Sequence, residues 1–173
     1  NKNKLKKNSE ERGNIYLLVG TSCPWCHRTI LFHKYKKLSK KIKIIFLEPN
    51  FKNCQWTFKE KFFKKESLSE IYSKISLHNI FRPTLPLLIK EQDEKLIFLS
   101  NESSEIMKIF QLLGEYNSEF QEKLGLSQKQ LINSIDSDIN DGVYKCGFAR
   151  NQNAYSYASK KLFDRLDKID HLL

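Results

Sequence analysis

Residues 14–47 read NIYLLVGTSCPWCHRTILFHKYKKLSKKIKIIFL, and this stretch decides the fold. Asn14 to Gly20 is a short apolar run that ends in Gly, which predicts a buried strand. A helix is predicted over Cys23 to Lys37, because Pro24 suits the first helical position and apolar residues follow at helical spacing. Lys41 to Leu47 predicts a second strand. Strand, helix, strand is a βαβ unit, whose two strands lie parallel and are joined by a right-handed crossover.

The segment 48–66 follows this unit and has no steady apolar period. We predict a long loop here, with a short helical turn at residues 58–63 as an alternative, and long ordered loops are more often functional than accidental. A helix is predicted to begin after Ser67 and run to Ile75. Glu70 stands three residues after Ser67, which is the spacing of a capping box.

Two further strands are predicted at Leu85 to Ile89 and Leu96 to Leu99. The polar segment 90–95 between them suits the turn of a hairpin. Ser103 to Leu113 carries apolar residues on one side at helical spacing and predicts a helix. The element order is then βαβ, helix, ββα. This is the thioredoxin-like layout of the α/β class, a four-stranded mixed sheet with helices on both faces.

The chain divides into three predicted regions. Residues 1–13 form a polar, Lys-rich N-terminal segment, and residues 14–114 form the thioredoxin-like domain. Residues 115–173 are predicted to begin an all-α domain, because Ser127 to Ile139 and Arg150 to Leu173 both carry apolar residues at helical spacing.

The sequence Cys23-Pro24-Trp25-Cys26, directly after a strand and at the start of a helix, is a specific signal for thiol chemistry. The helix N-terminus carries partial positive charge that stabilises a thiolate, so we expect Cys23 to have a depressed pKa and to act as the nucleophile. A structural zinc site is one alternative. A single Cys-x-x-Cys pair lacks the second pair of ligands that tetrahedral coordination needs, so no metal is predicted. Two buried, inert cysteines are the other alternative.

Two other segments are candidate ligand-binding elements. Pro86 precedes a strand, and a cis bond is predicted there because only an X–Pro bond tolerates that form cheaply; a trans proline at the start of an edge strand is the alternative. Glu102 and Ser103 stand at a strand-to-helix junction, where a hydroxyl and N–H groups cap the helix or bind a ligand carboxylate. Taken in isolation, capping explains Ser103.

Composition limits the class of protein. The formal net charge of +10 attracts polyanions in general. However, only five of the thirty basic residues are Arg, and the Lys residues are scattered without a basic stripe or a recognisable nucleic-acid motif, so no nucleic-acid partner is predicted. No apolar run approaches the roughly 20 residues of a membrane span. The Lys-rich start lacks the apolar stretch of a signal peptide, and four cysteines in this pattern do not suggest a disulfide framework. We therefore expect a cytoplasmic protein with no membrane partner.

Several segments together resemble the glutathione transferase superfamily, specifically the omega-like branch that contains the glutathionyl-hydroquinone reductases, also called xi-class transferases. The resemblance covers most of the chain. The matching segments are Cys23-Pro24-Trp25 with His27-Arg28-Thr29, Arg82 through Pro86, Asn101-Glu102-Ser103, and Ile139 through Ala149. The last of these, in the helical domain, is the most discriminating match.

The resemblance implies a glutathione-dependent enzyme that uses Cys23 to reduce glutathionylated hydroquinones or related conjugates. Glutathione would be the co-substrate, and the second partner a small aromatic or quinone-derived electrophile. A homodimer is an assembly that the family allows. The glutathione-binding residues carried over are Trp56, Arg82, Leu85 through its backbone, Pro86, Glu102 and Ser103, and those of the substrate pocket are Trp25 and Tyr144. Without the family, Trp56 and Tyr144 would be read as core or interface aromatics.

Two departures from the family pattern keep other functions open. The family usually has a small residue without a thiol where this chain has Cys26, so Cys26 is a candidate resolving thiol. Family members also continue with several more helices, so we expect the helical domain to be incomplete at Leu173. The alternatives are a glutaredoxin-like dithiol oxidoreductase that uses Cys23 and Cys26, and a non-catalytic binding module that retains the fold.

Overall fold

The computed structural model describes residues 13–75, 83–114 and 126–172. It divides into two compact units, Asn1–Asn117 and Ser118–Leu173. The polar segment before Gly13 and the candidate ligand Arg82 lie outside the described residues.

The first unit contains one sheet and three helices. The strands are β1 (Asn14–Gly20), β2 (Ile42–Asn50), β3 (Gln55–Phe62), β4 (Lys65–Ser67), β5 (Leu87–Gln92) and β6 (Lys95–Ser100), and the helices are α1 (Pro24–Tyr35), α2 (Leu68–Lys74) and α3 (Ser103–Leu113). The strand order is β4-β3-β2-β1-β5-β6. The β1–β2 pair is parallel, and every other pair in this sheet is antiparallel. The predicted α/β class and the βαβ unit are confirmed, but the sheet has six strands and not four.

Strands β1 and β5, which are neighbours in the sheet, form the middle of the core. In β1, Leu17, Leu18 and Val19 are fully buried, as are the consecutive residues 87–89 of β5. Continuous apolar runs are expected for strands that are covered on both faces. The core therefore lies on both faces of β1, the strand that leads into α1.

The predicted long loop at residues 48–66 was wrong, and so was the alternative of a helical turn at residues 58–63. Strand β3 pairs with β2 in antiparallel register, with Leu47 opposite Phe58 and Pro49 opposite Trp56. Phe63 and Lys64 form the turn to β4 with positive φ angles of 50° and 62°. Such turns favour Gly or Asn, neither of which is present here, so the sequence carries no ordinary turn signal.

The remaining elements of this unit follow the sequence closely. The capping box of α2 is present: the Ser67 hydroxyl accepts from the Glu70 N–H at 3.4 Å, and the Glu70 carboxylate accepts from the Ser67 N–H at 3.0 Å. The predicted hairpin joins β5 to β6 through Asp93 and Glu94. Helix α3 has the predicted bounds.

The second unit is helical, as predicted for residues 127–139 and 150–173. It comprises α4 (Leu126–Ile135), a π-helical segment (Asp136–Asn140), α5 (Asp141–Gly147) and α6 (Gln152–Asp170). Helix α5 packs on α6 at a position where Gly142 lies close to Leu162. Arg165 of α6 donates to the Asp138 carboxylate from Nε and Nη2, at 3.1 and 2.9 Å. These contacts join α6 to α5 and to the π-helical segment.

Candidate active site

Cys23 is placed by the sharp change from strand to helix. It is the N-cap residue of α1, with Pro24 next to it at the helix start. Its backbone N–H donates to the carbonyl oxygen of Gly20, the last residue of β1, at 3.3 Å. The side chain is 5% exposed, and its Sγ atom lies 3.8 Å from the carbonyl oxygen of Leu85. A sulfur at a helix N-terminus is near partial positive charge, which favours its thiolate form.

Cys26 lies three residues later and is fully buried. Its Sγ accepts a hydrogen bond from the Gly20 N–H at 3.4 Å. The pKa of the Cys26 thiol is raised, first by its hydrogen bond with the Cys23 side chain, then by burial and by the charge of Cys23; the Gly20 N–H acts in the opposite direction. These surroundings favour the protonated form of the Cys26 thiol. No disulfide joins any of the four cysteines, all of which lie in the described part of the chain.

The Leu85–Pro86 peptide bond is cis, as predicted. Leu85 is 8% exposed, and it presents its carbonyl oxygen to the Cys23 sulfur. The preceding residue, Thr84, is tied to two helices. The Tyr72 hydroxyl of α2 donates to the Thr84 carbonyl at 2.9 Å, and the Asn101 side-chain amide, just before α3, donates to the Thr84 hydroxyl at 3.0 Å. These bonds fix the segment that faces Cys23.

The start of α3 is linked to the start of α1 through Arg28. Its Nε and Nη2 atoms donate to the hydroxyl of Ser103 at 3.0 and 2.7 Å. The same guanidinium lies over the ring of Trp25, 4.5 Å from its centroid. Ser103 is 6% exposed, and Glu102 beside it is the exposed N-cap residue of α3. Ser103 does not cap its own helix through its side chain, so capping, the reading preferred in isolation, does not account for it.

Trp56 reaches the site from β3. A Cβ atom added to Gly20 would lie 2.5 Å from Cη2 and 2.6 Å from Cζ3 of the Trp56 ring. The indole therefore rests on the glycine that holds both cysteines. This packing places Trp56 beside the thiol pair, although the sequence pattern predicted a loop there.

The structure thus brings most of the predicted site residues of the first unit together. The Leu85 carbonyl, next to cis-Pro86, faces the thiol of Cys23, which lies beside Cys26, and Trp25 and Ser103 are connected through Arg28. Tyr144 lies in the second unit, on α5, 38% exposed and stacked on Phe148 with ring centroids 6.4 Å apart. Its predicted place beside a substrate stays a prediction.

Sequence reasoning assigned no role to Gly20, and for Arg28 it suggested added positive potential near Cys23 but did not find its partner. Arg28 stands in the segment that matches the family motif, but its partner Ser103 is 75 residues away in the sequence. Gly20 ends the strand and looked like an ordinary boundary residue. Its role depends on the indole of Trp56, which belongs to a strand that begins 35 positions later in the sequence. The local sequence pattern around Gly20 does not reveal this contact.

Known proteins are similar to this chain in sequence. No protein-family model matches the chain. It is 30% identical over 179 residues to the glutathionyl-hydroquinone reductase YqjG of Escherichia coli, a match that covers 94% of this chain and 53% of YqjG. It is 28% identical to the glutathionyl-hydroquinone reductase PcpF of Sphingobium chlorophenolicum, with 94% and 55% of the two chains covered.

Solved structures of glutathione transferases share the fold of this chain. The glutathione-bound structure of YqjG superimposes with a TM-score of 0.75 at 31% identity, over 91% of this chain and 55% of that one. The xi-class glutathione transferase of Phanerochaete chrysosporium gives a TM-score of 0.71 at 26% identity, over 94% of this chain and 60% of that one. The fold is thus the thioredoxin-like domain of glutathione transferases followed by helices. The chain spans about half the length of the curated relatives it matches.

The described ranges lack two further features. Within them, no cluster of three or more His, Cys, Asp or Glu side chains has the arrangement of a metal site. None of the helices described there has both the length and the apolar character needed to cross a bilayer.

Proposed function

We propose that this protein is a glutathione-dependent thiol transferase of the xi class, which reduces glutathionylated hydroquinones or related conjugates through a mixed disulfide on Cys23. The observation that carries the proposal is the position of Cys23 at the N-cap of α1, with its sulfur facing the carbonyl of Leu85. The similarity to proteins named glutathionyl-hydroquinone reductases supports glutathione as the co-substrate.

The first chemical step transfers the glutathionyl sulfur. The Cys23 thiolate forms a bond to that sulfur, and the bond between sulfur and the aromatic ring breaks with its electron pair left on the ring carbon, which takes a proton. The ring carbon is reduced, and the two sulfurs are oxidised to a mixed disulfide. A second glutathione thiolate then attacks the glutathionyl sulfur, which yields glutathione disulfide and returns the Cys23 thiolate.

The residues around Cys23 are suited to holding a peptide-like ligand. The backbone of Leu85, before cis-Pro86, offers hydrogen-bonding groups next to the sulfur. Glu102 and Ser103 stand at the N-terminus of α3, where backbone N–H groups and positive partial charge favour a carboxylate such as that of the γ-glutamyl group. We propose that Leu85, Pro86, Glu102 and Ser103 bind glutathione, with Arg28 as a positioning residue that orients Ser103.

The remaining assignments extend the site at both ends. We propose that Trp56 and Arg82 also contact glutathione, and that Trp25 and Tyr144 line the pocket for the aromatic part of the substrate. Trp56 is supported by its packing on Gly20, three residues before Cys23. A cytoplasmic location is also proposed, because the reaction consumes reduced glutathione and the thiols must stay reduced. The homodimer stays a prediction, which light scattering on the purified protein tests.

The test is turnover of glutathionyl-hydroquinone in the presence of glutathione, with hydroquinone and glutathione disulfide both measured. We expect one of each per turnover, and we expect Cys23→Ser to abolish both products. Cys54→Ser is the matched control, since Cys54 is exposed on the turn between β2 and β3. Turnover that survives in Cys23→Ser, or its absence from the unaltered protein, contradicts the proposal.

A further inference from the structure

We propose that Cys26 displaces glutathione from Cys23, so that a Cys23–Cys26 disulfide forms as an intermediate of the catalytic cycle. This inference rests on the proposed function, because it begins from the glutathione mixed disulfide on Cys23. It distinguishes this chain from an enzyme with one thiol, in which the mixed disulfide persists until a second glutathione attacks it.

The spacing of the two cysteines suits a disulfide. Residues three apart at helical spacing have Cα atoms about 5 Å apart. Disulfides span Cα separations of about 4.4–6.8 Å. The backbone of Gly20 also holds both residues, because its carbonyl accepts from the Cys23 N–H and its N–H donates to the Cys26 sulfur. The two residues are thus held together before any reaction.

The burial of Cys26 restricts what it can react with. Its side chain has no exposed surface, whereas that of Cys23 is 5% exposed. The side chain of Cys26 forms a hydrogen bond with that of Cys23. An external disulfide or conjugate therefore meets Cys23 first, and the sulfur of Cys23 is the electrophile within reach of Cys26 once glutathione is attached. The difference in solvent access between the two sulfurs therefore makes Cys23 react before Cys26.

The proton on Cys26 is controlled by the same contact. The largest cause of its raised pKa is the hydrogen bond with Cys23, followed by burial and by the charge of Cys23. Attachment of glutathione removes the negative charge from the Cys23 sulfur, so the two causes that come from Cys23 are lost while burial remains. The Gly20 N–H, which favours the thiolate of Cys26, remains in place. The first step of the reaction therefore activates Cys26 for the second.

The exchange balances without any further oxidant. Cys26 gives up its proton and attacks the Cys23 sulfur; the bond between that sulfur and the glutathionyl sulfur breaks, and glutathione leaves as a thiolate that takes up the proton. A new glutathione thiolate reopens the internal disulfide at Cys23, which restores the mixed disulfide and the Cys26 thiol. Attack of another glutathione on that mixed disulfide completes the cycle with glutathione disulfide as product.

The experiment uses the 173-residue chain with Cys54 and Cys146 both changed to Ser, so that the pair contains the remaining thiols. The reduced protein is mixed with one equivalent of glutathione disulfide, quenched with an alkylating reagent at increasing times, and digested with trypsin. Trypsin cleaves after Arg12 and Arg28, so one peptide, residues 13–28, carries both cysteines. Mass spectrometry of that peptide then reports the state of the pair.

We expect the glutathione adduct on this peptide to be transient and to be replaced by a peptide lighter by two hydrogens, with glutathione released. The same protein with Cys26→Ser keeps the adduct, and Cys26→Ala repeats this result if the serine disturbs folding. A wild-type pair whose adduct lasts as long as that of Cys26→Ser overturns the inference but leaves the proposed function standing. If no adduct forms in any of these proteins, the proposed role of Cys23 fails, and this inference fails with it.

Discussion

The hydroxyl of Ser103 accepts two hydrogen bonds from Arg28, at 2.7 and 3.0 Å, although the two residues are 75 positions apart in the sequence. This contact joins the N-terminus of the helix that begins with the thiol pair to the N-terminus of the helix that carries Glu102 and Ser103. Arg28 also lies over Trp25. One side chain therefore sets the relative position of the sulfur and the proposed carboxylate site.

Replacement of Arg28 by Ala should weaken both the fold and glutathione binding. Loss of hydrogen bonds to a charged group costs about 1.5–3 kcal/mol of unfolding free energy. Arg28→Lys should recover only part of the binding, since an ammonium group does not reproduce the planar fork. Urea unfolding followed by circular dichroism and calorimetric titration with glutathione measure the two effects. Lys34→Ala, an exposed change on the same helix, is the control; equal losses in both variants would count against this role for Arg28.

A methyl group at Gly20 should be poorly tolerated, because the Trp56 indole occupies its place. Forcing extra volume into a packed position costs about 1–3 kcal/mol of unfolding free energy. The loss should be smaller when Trp56 is first changed to Leu, since contacting residues do not contribute additively. A double-mutant cycle by urea unfolding measures this coupling. Gly147→Ala serves as the comparison, because an added Cβ there meets nothing within 4 Å.

Stability should fall with alkaline pH because of Cys26. Its thiol has a raised pKa in the folded protein, against a usual value of 9.0, so above that pH the unfolded state loses a proton that the folded state keeps. One such proton lowers the unfolding free energy by at most about 1.4 kcal/mol per pH unit. Below the usual pKa the thiol is protonated in both the folded and the unfolded state, so Cys26 adds no pH dependence there. The unfolding free energy, measured by urea unfolding at several pH values above the usual thiol pKa, should depend less on pH in Cys26→Ala. An equal dependence in both proteins would refute the assignment.

Acid should weaken the second unit through Asp138. The hydrogen bond from Arg165 is the largest cause of the lowered pKa of this carboxyl, followed by that from Ser137. A lowered pKa gives stability that is present above the usual value of 3.8 and is lost as the pH falls through the folded value. Hydrogen exchange of α6 amides at about pH 5 and about pH 3 should show this loss, and a smaller one in Asp138→Asn. If the acid-induced loss of protection is the same in Asp138→Asn, other carboxyl groups are responsible for it.

The sequence predicted those parts of the fold whose signals are local. The apolar run of β1, the proline after Cys23 and the Ser67–Glu70 spacing each report on neighbouring residues, and each produced the expected element. Strand β3 lacked such a signal. Lys59, Glu60 and Lys61 are consecutive exposed residues of this strand, which is held in the sheet by its pairing with β2. Pairing of that kind depends on residues distant in sequence, so periodicity alone does not reveal it.

The site was predicted in the same uneven way. Cys23 and cis-Pro86 carry motifs that can be read from the chain itself. The contact between Arg28 and Ser103 and that between Gly20 and Trp56 arise only when separate elements meet. Resemblance to the family brought Trp56 and Ser103 into view, but it did not say which side chains hold them. Those supporting contacts required the three-dimensional structure.

The location of Trp56 and Trp25 has a practical result for optical experiments. They are the two tryptophans of the chain, and both belong to the unit that contains the thiol pair. One covers the glycine that holds the cysteines, and the other stands between the cysteines in sequence. Intrinsic tryptophan emission from the whole protein therefore originates beside the thiol pair. The protein carries its own fluorescent probe for oxidation of the thiols and for arrival of a ligand, with no label required.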